Sequence, residues 1–287
     1  MQRWLFGIAI SLAIALLPCA VFAQVQSANK GLLITPPRQY LEAIPGKTTK
    51  SSLTVANLTD NPVSVSLSYE QFSVTDYDYD YEFEIPKEKW ISFEATQVML
   101  KKTESRTLAY NIVVPHNASP GGHYFTLFAS MSLGNGKLVR AATVVYVTVS
   151  GELIKQSSIM KDSFPLISFG GDIPYELQVR NTGNTHFLIY KSAALRGFTA
   201  QEPTGEVAHL LLPNTVRSIK GTIPPPLMIG VYQAEYGFRD EDGHVTKQQR
   251  YMLYVPPRSW ILLVGIILLA TFFIKRRKRL KKQPTDS

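Results

Sequence analysis

Val63-Ser64-Val65-Ser66-Leu67-Ser68-Tyr69 decides the fold. Its apolar side chains fall at every second position and its serines fill the gaps. In an extended chain, successive side chains point to opposite faces, so this stretch is a strand with one dry face and one wet face. Working outward, Arg106 to Val114, Tyr124 to Leu133 and Leu138 to Val149 also read as strands. The last of these carries Val144-Val145-Tyr146-Val147, a nearly continuous β-branched and aromatic run. Pro45-Gly46, Asp60-Asn61-Pro62, Pro120-Gly121-Gly122 and Gly134-Asn135-Gly136 punctuate these runs as turns. A last hairpin follows, with Tyr236 to Phe238, a turn over Arg239-Asp240-Glu241-Asp242-Gly243, and His244 to Tyr254. Between Gln24 and Ser259 there is almost no helical period, and short strands at this spacing predict an all-β protein of sandwich type.

The plan occurs twice. Leu53-Thr54-Val55-Ala56-Asn57 is echoed by Leu177-Gln178-Val179-Arg180-Asn181, and each is followed by a turn-rich segment. Val114-Pro115 leading to Gly121-Gly122-His123-Tyr124 is echoed by Ile223-Pro224 leading to Ile229-Gly230-Val231-Tyr232. The offsets are 181 − 57 = 124 and 232 − 124 = 108, which describe two domains of one type with different loops. The expectation is an immunoglobulin-like β-sandwich over 24–150, a second over 151–256, and one transmembrane helix over 259–275.

Charge points to the ends of the chain. Of 30 basic residues, Arg3 and the seven between Lys275 and Lys282 leave 22, against 21 acids once Asp286 is set aside. The middle of the chain is near neutral, so the net +8 belongs to a tail and does not argue for nucleic acid. At the start, Arg3, the apolar run Trp4 to Leu17 and Val21-Phe22-Ala23 form a secretory signal peptide over 1–23. Pro18 occupies the place where a lipoprotein cleavage site at Cys19 would need a small residue. At the other end, Trp260 to Ile274 carries no charge and spans about 22 Å as a helix. Trp260 at the interface, with Lys275, Arg276 and Arg277 beyond, makes this a membrane anchor with a stop-transfer cluster. The positive-inside rule then puts the ectodomain outside and the basic tail, 276–287, in the cytoplasm.

Catalytic signatures are missing. There is no Gly-x-Ser-x-Gly, no His-Glu-x-x-His and no phosphate-cradling loop. One Cys in 287 residues excludes a disulfide scaffold and a thiolate zinc site. His116 and His123 flank the Pro120-Gly121-Gly122 turn and read as a rim and a strand histidine rather than a metal pair. The unusual segment is Asp76-Tyr77-Asp78-Tyr79-Asp80-Tyr81-Glu82-Phe83-Glu84. Extended, it puts five acids on one face and Tyr77, Tyr79, Tyr81 and Phe83 on the other. Three readings are open for it: a sandwich strand with solvated acids, a protruding arm whose aromatics bind a partner or glycan, and a Ca²⁺ site on Asp76, Asp78 and Asp80. Against calcium, Tyr81 stands where an EF-hand turn demands Gly. No other metal or cofactor is expected.

Thr35-Pro36-Pro37-Arg38, Pro45-Gly46, Leu53 to Asn57, Trp90-Ile91, and Val114-Pro115 through Ala118-Ser119-Pro120-Gly121-Gly122-His123-Tyr124 resemble bacterial surface proteins with an immunoglobulin-like, pilus-chaperone-like sandwich. The whole layout resembles the WxL-interacting proteins of Gram-positive bacteria. That resemblance implies a first domain that binds peptidoglycan and a second that binds host or partner proteins. The expected function is a non-catalytic, membrane-anchored module of the cell surface that binds cell-wall polymer or surface proteins. The alternative is a structural accessory subunit of a membrane or secretion complex.

Overall fold

Val65 and Leu67 are buried while Ser64, Ser66 and Ser68 face solvent, the alternation of a half-buried strand. The computed structural model describes residues 31–132, 136–196 and 208–280, in which nearly all regular structure is β. Two sandwiches stand in series, followed by one helix.

The first sandwich pairs a four-stranded sheet with a six-stranded one. The smaller sheet has the order β1 (Leu32–Thr35), β3 (Thr48–Asn57), β8 (Ser105–Val113), β6 (Ile91–Phe93). The larger has the order β2 (Arg38–Ala43), β10 (Leu138–Val149), β9 (Gly121–Ser132), β4 (Val63–Val74), β5 (Tyr81–Glu84). One edge of β4 is shared: β7 (Gln97–Leu100) pairs with Val63 to Ser66, and β5 with Gln71 to Val74. The chain switches sheets between β1, antiparallel to β3, and β2, parallel to β10. Leu53, Val55, Val65, Leu127 and Val147 meet between the sheets with Trp90. Each such side chain contributes about 1.5–3 kcal/mol by leaving water.

In β9 both faces are dry: every residue from Tyr124 to Met131 is buried, Thr126 and Ser130 among them. Phe125, Leu127 and Ala129 join the core. On the outer face, Phe83 packs edge-on to Phe128 with centroids 5.6 Å apart, and the Arg140 guanidinium lies 3.7 Å above the Phe128 ring. Tyr124 lies against the second sandwich.

The second sandwich repeats the plan. Its small sheet has the order β11 (Ser157–Ser163), β13 (Ile173–Asn181), β16 (Val216–Ile223). The larger has the order β12 (Ile167–Ser168), β18 (Val245–Tyr254), β17 (Gly230–Asp240), β14 (Phe187–Arg196), β15 (Ala208–Leu211). Again the first strand is split, with β11 antiparallel on β13 and β12 parallel on β18. The two echoed asparagines do the same work. Asn57 donates from Nδ2 to the Asn61 carbonyl at 2.8 Å and to the Lys101 carbonyl at 2.9 Å, and its Oδ1 accepts the Thr59 N–H at 2.9 Å. Asn181 donates to the carbonyls of Thr185 and Leu211 at 2.9 and 3.2 Å, and its Oδ1 accepts the Gly183 N–H at 2.9 Å. Both side chains are fully buried, and each amide serves the backbone polar groups of a turn; the bonds of Asn181 are buried and those of Asn57 are partly so.

Helix α1 (Pro257–Leu280) ends the described chain. Its segment Pro257–Lys275 has a mean hydropathy of 2.0 and none of it is buried against the sandwiches. Nineteen residues rise about 28 Å, close to the thickness of a bilayer core, so the helix is long and apolar enough to cross a membrane. The gain over the Trp260 to Ile274 run comes from Pro257, which starts the helix at the position where proline fits best. The proposed signal peptide, with Cys19, lies outside the described residues, as do the side chains of Trp260, Arg276 and Arg277.

Candidate functional site

The segment 76–80 is a turn that grips the other sandwich, and this corrects the extended reading of 76–84. Tyr77 and Tyr79 both have positive φ, 71° and 63°, which breaks the alternation of acids and aromatics. Only Tyr81–Glu84 is strand. The physical reason is tertiary. Asp76 accepts the Val216 N–H on its carboxylate at 2.8 Å. The Tyr77 N–H donates to the Val216 carbonyl at 2.6 Å, and the Tyr77 carbonyl accepts the Ser218 N–H at 3.0 Å. Three hydrogen bonds thus tie the turn to the start of β16. Tyr79 reaches further. Its hydroxyl accepts the Leu212 N–H at 2.9 Å and stands 2.6 Å from Thr215 Oγ1, while the Arg217 guanidinium lies 4.4 Å from its ring. Burial pushes the Tyr79 phenol up from its ordinary pKa, so it stays protonated.

A second grip lies around Asn184. Its side chain accepts the Ile154 N–H at 2.8 Å and donates to the carbonyls of Glu152 and Pro120 at 2.8 and 3.3 Å. Its own carbonyl accepts the Gly122 N–H at 2.9 Å. The approach is close enough that a Cβ on Gly121, which has φ +121°, would collide with the Asn184 carbonyl. One residue of the second sandwich thereby holds the linker and a loop of the first.

His186, two residues on, enters an aromatic box from the first sandwich. Its ring centroid lies 5.3 Å from Tyr146, 5.5 Å from Tyr124 and 5.8 Å from Tyr40. Its Nδ1 lies 3.4 Å from the Tyr124 hydroxyl. Burial lowers its pKa to about 4, with Glu241 pulling weakly the other way, so it is neutral at neutral pH. The Tyr124 and Tyr146 phenols are pushed up, chiefly by desolvation.

Between the two grips a cleft opens. Its larger part has a volume of about 470 Å³ and is bordered by Arg38, Tyr40, Asp78, Tyr81, Tyr146 and Arg217. A smaller hollow of about 350 Å³, with Glu42, Lys155 and Glu241, shares Tyr40, Leu188 and Leu210 with it. Lys155 is ion-paired to Glu241 at 2.5 Å, which raises its pKa and occupies both charges. Tyr40 stacks on Tyr146 with centroids 4.9 Å apart and planes 13° from parallel, yet the residue is 54% exposed. The ring is therefore fixed against Tyr146 while more than half of the residue's surface stays open to solvent. Among the described residues that border it, the larger cavity has one carboxylate, Asp78, and no serine, cysteine or histidine, so they offer no nucleophile paired with a base. Its chemistry is stacking, hydrogen bonding and charge pairing.

The predicted residues separate into groups. Asp78, Tyr79 and Tyr81 border the cleft. Tyr81 and Phe83 lie as nearly parallel rings, 6.2 Å apart, on an edge strand whose four residues are all exposed. Asp76 is engaged with Val216, and Asp80 closes its own turn through the Thr75 N–H at 2.9 Å. Among the described residues no three His, Cys, Asp or Glu side chains come together as a metal site. His123 lies against Trp90, centroids 4.5 Å apart, and His116 lies under Gly46. Arg38, Tyr40, Tyr146, His186 and Arg217 were not among the site residues expected from the sequence. For Arg38 and Tyr40 a signal existed: they alternate with Gln39 and Leu41 on a strand that follows two prolines.

No protein-family model matches the chain, and no curated protein matches it in sequence. Among solved structures it is similar to the class 5 fimbriae chaperone CfaA, at 12% identity over 79% of this chain and 100% of that one, with a TM-score of 0.44. It is also similar to a chaperone–tip adhesin complex of CFA/I fimbriae, at 11% identity over 79% and 99%, TM-score 0.44. A CsuC–CsuE chaperone–tip adhesion subunit complex from Acinetobacter baumannii matches at 12% identity over 78% and 98%, TM-score 0.39.

Proposed function

We propose that this chain is a non-catalytic binding protein of the cell surface, held by helix α1 with its sandwiches outside and its basic tail, 276–287, in the cytoplasm. Its ligand is cell-wall polymer, taken in the cleft between the sandwiches. The observation that carries this reading is the Tyr40 ring, stacked on Tyr146 at the border of the cleft yet 54% exposed. A sugar ring presents an apolar face to such a platform and hydroxyls to its rim, where Arg38, Asp78 and the Tyr81 phenol stand. Peptidoglycan adds carboxylates, which Arg38 and Arg217 suit. The resemblance to WxL-interacting proteins points the same way, since their first domain is assigned this ligand.

The test is co-sedimentation of the detergent-solubilised full chain with purified sacculi. Saturable binding is expected, weakened about tenfold or more by Tyr40→Ala and much less by Tyr40→Phe. Absence of wild-type binding would overturn the reading.

A second reading, an accessory subunit that holds another protein, has its own support in the exposed edge strand Tyr81–Glu84. Such an edge can accept an added strand from a partner. A photo-crosslinking residue in place of Glu82 would capture that partner in intact membranes.

A further inference from the structure

The end of the second sandwich next to helix α1 is ringed with exposed apolar side chains. Ile167, Leu253 and Val231 stand side by side across β12, β18 and β17 on the outer face, in direct register. All three are exposed, Val231 by 67%. The loop entering β17 adds Leu227, Met228 and Ile229, exposed by 65%, 60% and 56%. Leu166, at the start of β12, is 74% exposed. Isolated exposed apolar residues need no explanation, but a contiguous group of this size does.

These residues are held in place. The Leu166 carbonyl accepts the Leu253 N–H and the Ser168 carbonyl accepts the Val255 N–H, both at 2.9 Å. The Tyr232 hydroxyl donates to the Met228 carbonyl at 2.9 Å. Their place in the fold is specific too. Gly230 pairs with Tyr254, the last residue of β18, so the 227–229 loop lies at the end where the chain leaves the sheet for the helix. Gly170, just beyond β12, lies so close to Pro257 that a Cβ there would collide with the proline ring.

We infer that this rim is a lipid-docking surface: the second sandwich rests on the outer leaflet, with Leu166, Ile167 and the 227–229 loop in the interfacial layer. The inference builds on the membrane-spanning reading of helix α1. The occupant follows from continuity. A helix long and apolar enough to cross a bilayer begins three residues after Tyr254, so lipid is the apolar medium that the rim meets first. Side chains of this kind gain by partitioning into the boundary between headgroups and acyl chains. Docking fixes the tilt of the sandwiches and the height of the cleft above the membrane.

The test uses the full chain with Cys19→Ser, reconstituted in phosphatidylethanolamine–phosphatidylglycerol vesicles. Single cysteines at Leu166, Met228, Leu268 in the helix and Leu58 on the first sandwich each carry an environment-sensitive fluorophore. Nitroxide-labelled lipid should quench the Leu166 and Met228 probes about threefold or more beyond Leu58, and aqueous iodide should quench them less. Rim probes as open to iodide as Leu58, with Leu268 in lipid, would overturn the docking and leave the anchor standing. Rim probes shielded from both quenchers would mean that protein covers the rim, which also overturns it. A Leu268 probe outside lipid would remove the anchor and the docking together.

Discussion

The Tyr79 hydroxyl and the Thr215 hydroxyl, 136 residues apart in sequence, lie 2.6 Å from one another across the junction of the sandwiches. They belong to a closed ring. The Leu212 N–H donates to the Tyr79 oxygen, the Tyr79 O–H is left to donate to Thr215, and the Thr215 O–H donates back to the Leu212 carbonyl at 2.8 Å. Each group in the ring both gives and receives, as buried polar networks must.

Tyr79→Phe opens that ring while keeping the aromatic contact with Arg217. The buried Leu212 N–H then has no acceptor, and the expected loss of stability is about 1–3 kcal/mol. Hydrogen exchange at the Leu212 amide, together with denaturant unfolding, checks this. An unchanged exchange rate would show that the ring does not hold the junction.

His186 makes the junction acid-sensitive. Its pKa is about 4 when folded and about 6.5 when unfolded, so the unfolded chain binds the proton more readily. Its contribution is complete above about pH 6.5 and is lost as pH falls toward 4, by about 2–3 kcal/mol in all. His209, lowered by burial to about 4 as well, adds a similar loss of its own. Denaturant unfolding across this range should therefore show a shallower pH dependence in His186→Phe than in the wild type. Equal slopes would count against the aromatic box as the cause.

The buried asparagines predict a matched pair of effects. Asn57→Ala and Asn181→Ala each remove the partner of two carbonyls and a backbone N–H, in a partly buried turn for Asn57 and a buried one for Asn181. Each should cost about 2–4 kcal/mol, the first in the sandwich before the linker and the second in the one after it. Urea titrations of the two variants measure the losses. A loss below about 0.5 kcal/mol in either would mean that water replaces the amide there.

Gly121→Ala attacks the second grip. The new Cβ collides with the Asn184 carbonyl, and the φ of +121° is strained for any L side chain. The Gly122–Asn184 bond should break, at a cost of about 2 kcal/mol, with little change inside either sandwich. Small-angle scattering of the variant should report a broader spread of inter-sandwich angles. A curve identical to the wild type would show that the grip around Asn184 yields without letting go.

Period and turn chemistry made much of this legible. The alternation at Val63 to Tyr69 is the strand β4, and the Asn57 and Asn181 echo marks the shared plan because a buried asparagine after a strand does one job in both halves. The segment 76–80 misleads for a physical reason. Acid–aromatic alternation has the period of a strand, and nothing local shows that Val216, 140 residues later, takes up the Asp76 carboxylate. His186 is hidden in the same way: its box is built from β2, β9 and β10 of the other sandwich, and no local pattern brings those strands to it.

The grips at Asp76–Tyr79 and Asn184 also matter for force. On the proposed reading, a surface protein that holds a wall polymer is pulled whenever the wall and membrane move apart. Tension on the first sandwich divides among the linker and both grips, so no single peptide segment carries the load. It then leaves the second sandwich along β18, which is bonded to β17 over ten residue pairs and ends three residues before the helix begins. Pulled along its length, that ladder is loaded in shear, and its bonds must fail together rather than one at a time.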